Sequence, residues 1–411
     1  MYQLGKPFLL SSQGSDRATA YGFSNKSVTI AGKTHVVWTD APAQTRGRTF
    51  DHATRRWGPT ISIGDGADNH NHPSLTVDAA QRLHLTFGPH GLWGTYPDRW
   101  PSGTFKHCTA TEPNSLDAIG QSAAIVGYNA TYGYLLHTLS GMDCLVYRGG
   151  EKPHPLMFQM QRHGKNWEAA RPLMAQEIHS GSGYTHLGPI ITSDHRGTLY
   201  VSGHFYSDQR GYSMGVAVLK SVDDGRTWTD LSGAAADTPI LYESRFAAPH
   251  PPVEHDPRNW GITCDSRGRL WILAGKQGSN GRYLPLSHWT GEAWETVDIG
   301  RFLPADRVPT DGCMTIDTAD RIHAVIAAST AASSRTWRDP STEVFYLAST
   351  DEGRQFSCEQ ISTTDSAAPS CLPTISRPGP FHPVHSPVIL FTHGPFSEEK
   401  VDTEVWAVSV E

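Results

Sequence analysis

The sequence has no apolar run near the roughly 18 residues that a membrane-spanning helix needs, so no such span is expected. It has no cluster of Lys or Arg either. With 34 Lys+Arg against 41 Asp+Glu, its net charge is −7. Affinity for nucleic acid comes chiefly from neutralising phosphates, so nucleic acid is not an expected partner. Charged residues are only 18% of the chain, and no stretch keeps a helical period, which excludes a coiled coil or long-helix protein. Six cysteines among 411 residues, none in a Cys-x-x-Cys pair, are too few for a disulfide scaffold and wrongly spaced for a zinc finger. They are expected to be small buried hydrophobes with at most one bridge. The start, MYQLGKPFLLSSQGS, lacks the charged end and long apolar core of a secretory signal. The chain as it stands reads as cytoplasmic, or as secreted or periplasmic if a leader has been removed; the sequence does not choose.

What the chain has is Gly (39), Pro (28) and Trp (12), the composition of many short strands joined by turns. A segment recurs: VDAAQRLHLTFG from Val77, SDHRGTLYVSG from Ser193, CDSRGRLWILAG from Cys264 and IDTADRIHAVIAA from Ile316. Each is a strand ending in Asp, a tight turn, then a second strand. An Asp in that place bonds to the backbone of its own turn. Asp78, Asp194, Asp265 and Asp317 are separated by 116, 71 and 52 residues, and a weaker copy from Tyr134 falls in the long gap. A second repeat, SVDDGRTW from Ser221 and STDEGRQF from Ser349, follows the Asp-box pattern Ser-x-Asp-x-Gly-x-Thr-Trp. Repeats of about 50 residues made of strands and turns indicate a β-propeller. Units beginning near Ser27, His70, Asn129, His186, Trp260, Asp311 and Leu372 number seven. The expected fold is all-β, a seven-bladed β-propeller occupying residues 1–411 as a single domain. The last strand, from Glu404, is expected to pair with an N-terminal strand and close the ring. A monomer is expected.

In such a ring the inner strands project side chains into a shared mouth. His70 and His72 precede one inner strand, and His90 follows its partner strand, so an up-and-back hairpin returns His90 to the end where His70 lies. Tyr132 opens the next inner strand and Arg148 ends its partner, by the same logic. Tyr184 and His186 precede a further inner strand, with His186 eight residues ahead of Asp194 as His70 is eight ahead of Asp78. Trp93 and Trp100, after His90, are placed to stack on a sugar. His84 and His323 occupy ordinary strand positions of the repeat and read as structural.

Two His, a Tyr and an Arg without an obvious carboxylate pair weigh against a two-acid glycosidase. They suit proton removal beside a carboxylate. A cation on the carboxylate stabilises developing enolate charge, a base takes the proton, and an acid protonates the leaving oxygen. Arg148 suits the first task. His70 is the first choice for the base, with His90 or Tyr132 as alternatives, and Tyr132 suits the acid.

The run DNHNHPSLTVDAAQRLHLTFGPH (residues 68–90), followed by Thr131-Tyr132 and Tyr147-Arg148, resembles the signature of the BNR-4 group of seven-bladed propellers. That group is similar to polysaccharide lyases of families 24, 25 and 42, which act on ulvan and on rhamnose–glucuronate linkages. The resemblance implies that His70 and His90 transfer and orient protons, that Tyr132 is acid or base, and that Arg148 neutralises the uronate carboxylate. It implies β-elimination on an anionic uronate polysaccharide or oligosaccharide, giving a 4,5-unsaturated uronate. Departures from its pattern are Gly133, where those families usually have Pro, and the stretch around Tyr184 and His186. No cofactor is expected for catalysis. Some members of the resembling families hold a structural zinc or calcium, for which His186, Cys264, Asp311, Cys313 and His385 are scattered candidates here. Two other readings stand beside the lyase: a rhamnosidase-like glycoside hydrolase and a non-catalytic sugar-binding propeller.

Overall fold

The computed structural model describes residues 3–66, 68–91, 103–119, 124–150, 154–162, 165–176, 188–207, 209–276, 281–330, 338–395 and 403–411. Among them there is no α-helix, only strands and three short 3-10 turns. Among the described residues no helix is long and apolar enough to cross a membrane.

The strands form six antiparallel sheets, five of four strands and one of nine. The first strands of successive units touch in chain order: Ser27–Ile30, Ser74–Val77, Thr131–His137, Ile190–Ser193, Pro257–Cys264, Arg307–Ile316 and Ser370–Ile375. The series closes on itself where Ser27 and Ser376 share a hydrogen bond of 2.7 Å and Asn25 accepts one from the Arg377 amide at 3.1 Å. Within the nine-stranded sheet the strands Phe8–Gly14 and Lys33–Asp40 meet at one register pair, Gly14 with Asp40. The C-terminal strand Thr403–Ser409 does pair with Phe8–Gly14, Leu9 opposite Trp406, so the two ends of the chain share a sheet.

The recurring Asp residues build the same turn each time. In each, one carboxylate oxygen accepts two backbone amides, two and four residues on: from Ala80 and Arg82 at Asp78, Arg196 and Thr198 at Asp194, Arg267 and Arg269 at Asp265, and Ala319 and Arg321 at Asp317, all at 2.8–3.0 Å. The Ser221 and Ser349 repeats also match each other: each Ser hydroxyl donates to the Asp two residues on at 2.8 Å and accepts the Gly amide four residues on at 2.9 Å. These bonds span at most four residues, so a short sequence window carries them.

Apolar residues of neighbouring sheets fill the space between them. Val28, Val37, Leu75, Val77, Leu85 and Phe87 form one such layer, all buried. All six cysteines are free thiols, and four of them are buried as small core residues.

Candidate active site

The turn at residues 68–70 and the loop after Leu83–Phe87 lie at one end of their hairpin, as the repeat logic requires. One carboxylate ties them. Asp68 Oδ1 accepts the His70 amide at 2.7 Å and lies 3.1 Å from His70 Nδ1, while Oδ2 accepts the His90 amide at 2.6 Å. The two imidazoles then face each other, ring centroids 4.3 Å apart. Burial works against ionising Asp68, but the hydrogen bonds from His70 and His90 outweigh it and hold its pKa below the ordinary value.

Tyr132 reaches the same place by a backbone irregularity. Thr131 is opposite Arg148 and Tyr134 opposite Val146, so two residues of one strand face one of the other. At this bulge Tyr132 takes φ +60°, in the left-handed region. Bulges of this kind re-aim a side chain. Gly133 beside it is a close-approach position: an added Cβ would lie 3.1 Å from the Phe105 ring. The Tyr132 hydroxyl sits 3.5 Å from His90 Nε2, and its ring packs edge-on to Tyr21 and Phe23. Arg148, at the end of Met142–Arg148, donates from Nη2 to His90 Nε2 at 2.9 Å and stacks 4.8 Å over the Tyr132 ring.

His70, His90, Tyr132 and Arg148 therefore come together. A cavity of about 530 Å³ opens over them, a volume suited to a small ligand. His70, His90 and Tyr132 line it; Arg148 sits behind His90 and Tyr132. On the side of the imidazoles Arg17 lines it, its Nη1 in contact with His70 Nε2. On the opposite wall stand Asp256, Arg258 and Asp311. Arg258 Nη2 donates to Asp256 at 2.5 Å.

The imidazoles are held neutral. Burial lowers the pKa of His90 to about 3, with His70 and Arg148 adding to the effect. Burial also lowers His70, Arg17 adding to it while Asp68 opposes. His72 is deeper, 1% exposed against Tyr21 and Tyr132, and burial drives its pKa far down. Across the cavity, burial raises Asp311 to about 7, against a hydrogen bond from the Gly312 amide.

Sequence reasoning missed Arg17, Asp68, Asp256 and Arg258, and held Asp311 only as a metal ligand. Asp68 had a visible signal, its place two residues ahead of His70; Arg17 had none, being 53 residues away. Tyr184, His186, Trp93 and Trp100 lie outside the described residues. The described metal candidates do not come together. Cys313 donates to the Pro373 carbonyl at 3.8 Å, His385 Nδ1 bonds the Thr318 hydroxyl at 2.9 Å, and Cys264 is a thiol raised by burial beside Asp194 and Asp265. Each is engaged locally, and among the described residues the one group of three with converging ligand atoms is a different set, His84, His107 and Asp143.

The sequence profile described as BNR repeat-containing family member matches residues 19–301. No curated protein matches the chain in sequence. Among solved structures, a family 25 polysaccharide lyase, an ulvan lyase bound to -[GlcA(1-4)Rha3S]-, superposes with TM-score 0.76 at 13% identity, covering 97% of this chain and 94% of its own. Polysaccharide lyase Uly1 gives TM-score 0.61 at 11% identity, covering 98% and 99%. The lectin BP39L from Burkholderia pseudomallei gives 0.57 at 12%, covering 91% and 96%. At such identities these likenesses speak to the fold.

Proposed function

The chain belongs to the BNR repeat-containing family, and from that premise we propose that it is a polysaccharide lyase cleaving a rhamnose-linked uronate by β-elimination. The observation that carries the reading is the convergence of two neutral imidazoles, a tyrosine hydroxyl and the Arg17 guanidinium at one cavity, with Arg148 directly behind and both His70 and His90 contacting arginine through Nε2. The ulvan lyase similar in fold, bound to a uronate-containing oligosaccharide, agrees with it.

In this reading the uronate carboxylate binds Arg17 at the cavity wall and draws Arg148 forward from behind His90 and Tyr132. It competes for the N–H donors of both arginines, and the Nε2 lone pairs of the imidazoles are released. His70, its Nδ1–H held by the Asp68 carboxylate, takes the C5 proton on Nε2. The electron pair forms the C4–C5 double bond as the C4–O4 bond breaks. The Tyr132 hydroxyl gives its proton to O4. The arginines stabilise the charge that develops on the carboxylate while the C5 proton is leaving. Charge-assisted bonds from planar guanidinium suit that task better than an ammonium would.

A second reading, glycoside hydrolysis, draws on the two carboxyls of the opposite wall, Asp256 and Asp311. Burial holds Asp311 near pH 7, as a general acid requires. The test is digestion of a panel of uronate polymers followed by ultraviolet absorbance and reducing ends together. Elimination yields a conjugated unsaturated product; hydrolysis yields reducing ends alone. Reducing ends without new absorbance would remove the lyase, and neither signal with retained polymer binding would leave a sugar-binding propeller.

A further inference from the structure

Far from the cavity, at the opposite end of the same strands, a second cluster of histidines surrounds a buried carboxylate. Asp143 stands five residues before Arg148 on one strand, about 17 Å along it at the rise of an extended chain. His84 and His107 come from adjacent strands of the neighbouring sheet, Leu83–Phe87 and Phe105–Thr109. His84 Nδ1 is 3.2 Å and His107 Nε2 3.7 Å from Asp143 Oδ2, and the three side chains are 0%, 5% and 0% exposed. One ligand atom from each lies within 4.8 Å of the others. Ligand atoms about 2.0–2.2 Å from a tetrahedral zinc are roughly 3.3–3.6 Å apart.

We propose that His84, His107 and Asp143 form a zinc site that joins two adjacent sheets beneath the cavity. Two imidazoles with one carboxylate favour zinc over calcium or magnesium, which prefer oxygen. The surroundings are those of a metal site. Ligating histidines characteristically give their second N–H to a carboxylate or amide. His84 Nε2 lies 3.4 Å from Asp78 Oδ2. The Gln161 amide is 3.1 Å from His107 Nδ1 and 3.0 Å from Asp143 Oδ2, and with the metal bound it turns its oxygen to the Nδ1 proton. The other oxygen of Asp143 lies 2.7 Å from His137 Nδ1. Water fills the fourth position. The rival state is a metal-free network in which His84 is an imidazolium between Asp78 and Asp143. The proposal does not depend on the lyase reading.

The experiment uses the full chain without a histidine tag, dialysed against zinc and analysed for bound metal by mass spectrometry. The expected result is close to one zinc per chain, with little calcium. A chelator should lower the melting temperature by several degrees, and zinc but not magnesium should restore it. His107→Gln should bind no zinc. Metal-free wild-type protein whose melting ignores both zinc and chelator overturns the site, as does full zinc content in His107→Gln. If that variant does not fold, cobalt-loaded wild-type protein decides. Two paramagnetically shifted imidazole N–H signals support the site, and fewer than two overturn it.

Discussion

Arg148 donates a hydrogen bond to Nε2 of His90 at 2.9 Å while its guanidinium covers the Tyr132 ring at 4.8 Å. It is 7% exposed. A cation in that place does two things: it sets the tautomer of His90, whose Nε2 must accept, and it packs against the Tyr132 ring.

Arg148→Ala should therefore affect both catalysis and folding. Loss of a carboxylate-stabilising donor is expected to lower kcat by about 10²–10³-fold. Loss of the charged hydrogen bond and the stacked contact is expected to cost about 2 kcal/mol. Initial rates and denaturant titration measure the two. Turnover within a few-fold of wild type would exclude Arg148 from carboxylate neutralisation.

Asp68→Asn removes the acceptor that holds His70 Nδ1–H while leaving the side chain its size. The imidazole then loses its tautomer, and turnover should fall by about 10²–10⁴-fold. The protein should remain folded, because Asn Oδ1 can still accept one of the two backbone amides. Unchanged kcat would show that His70 is not the base.

The pH profile follows from the lowered pKa values of His70 and His90. The active form is neutral, and activity disappears as falling pH protonates it. Since burial pushes both groups below the ordinary value, the acid limb of kcat/KM should lie below about pH 6.5. An acid limb at or above that pH would mean that a different group is titrating.

Asp311→Asn separates the two chemical readings. If the protein is a hydrolase with Asp311 as its acid, product formation should fall by at least about 10²-fold. If it is a lyase, Asp311 only lines the far wall, and KM should change more than kcat.

Asp317→Ala tests the repeated turn. It deletes two backbone hydrogen bonds at 2.9 and 3.0 Å and the contact to buried His323 at 3.1 Å. The cost should be about 2–4 kcal/mol, seen as a lower denaturation midpoint with an unchanged slope. A shift below about 0.5 kcal/mol would show that the turn forms without its Asp.

Much of the site was legible beforehand because strands in a hairpin return to the same end. His70 and His90 meet for that reason, and so do Thr131 and Arg148, directly opposite in register. The cluster of His84, His107 and Asp143 was not legible, because spacing along the chain says nothing about which residues of neighbouring sheets converge.

The sequence by itself determined the all-β repeat, the Asp turns and the two hairpins that return His90 to the end where His70 lies and Arg148 to the end where Tyr132 lies, because each rests on local hydrogen bonds or on strand register; the meeting of the two pairs came from the packing of neighbouring sheets. Only the tertiary structure decided that Arg17 caps His70, that Asp256 and Asp311 face them across the cavity, and that His84, His107 and Asp143 meet beneath it. Those encounters depend on how neighbouring sheets pack and how the ring closes, which no local pattern of residues records.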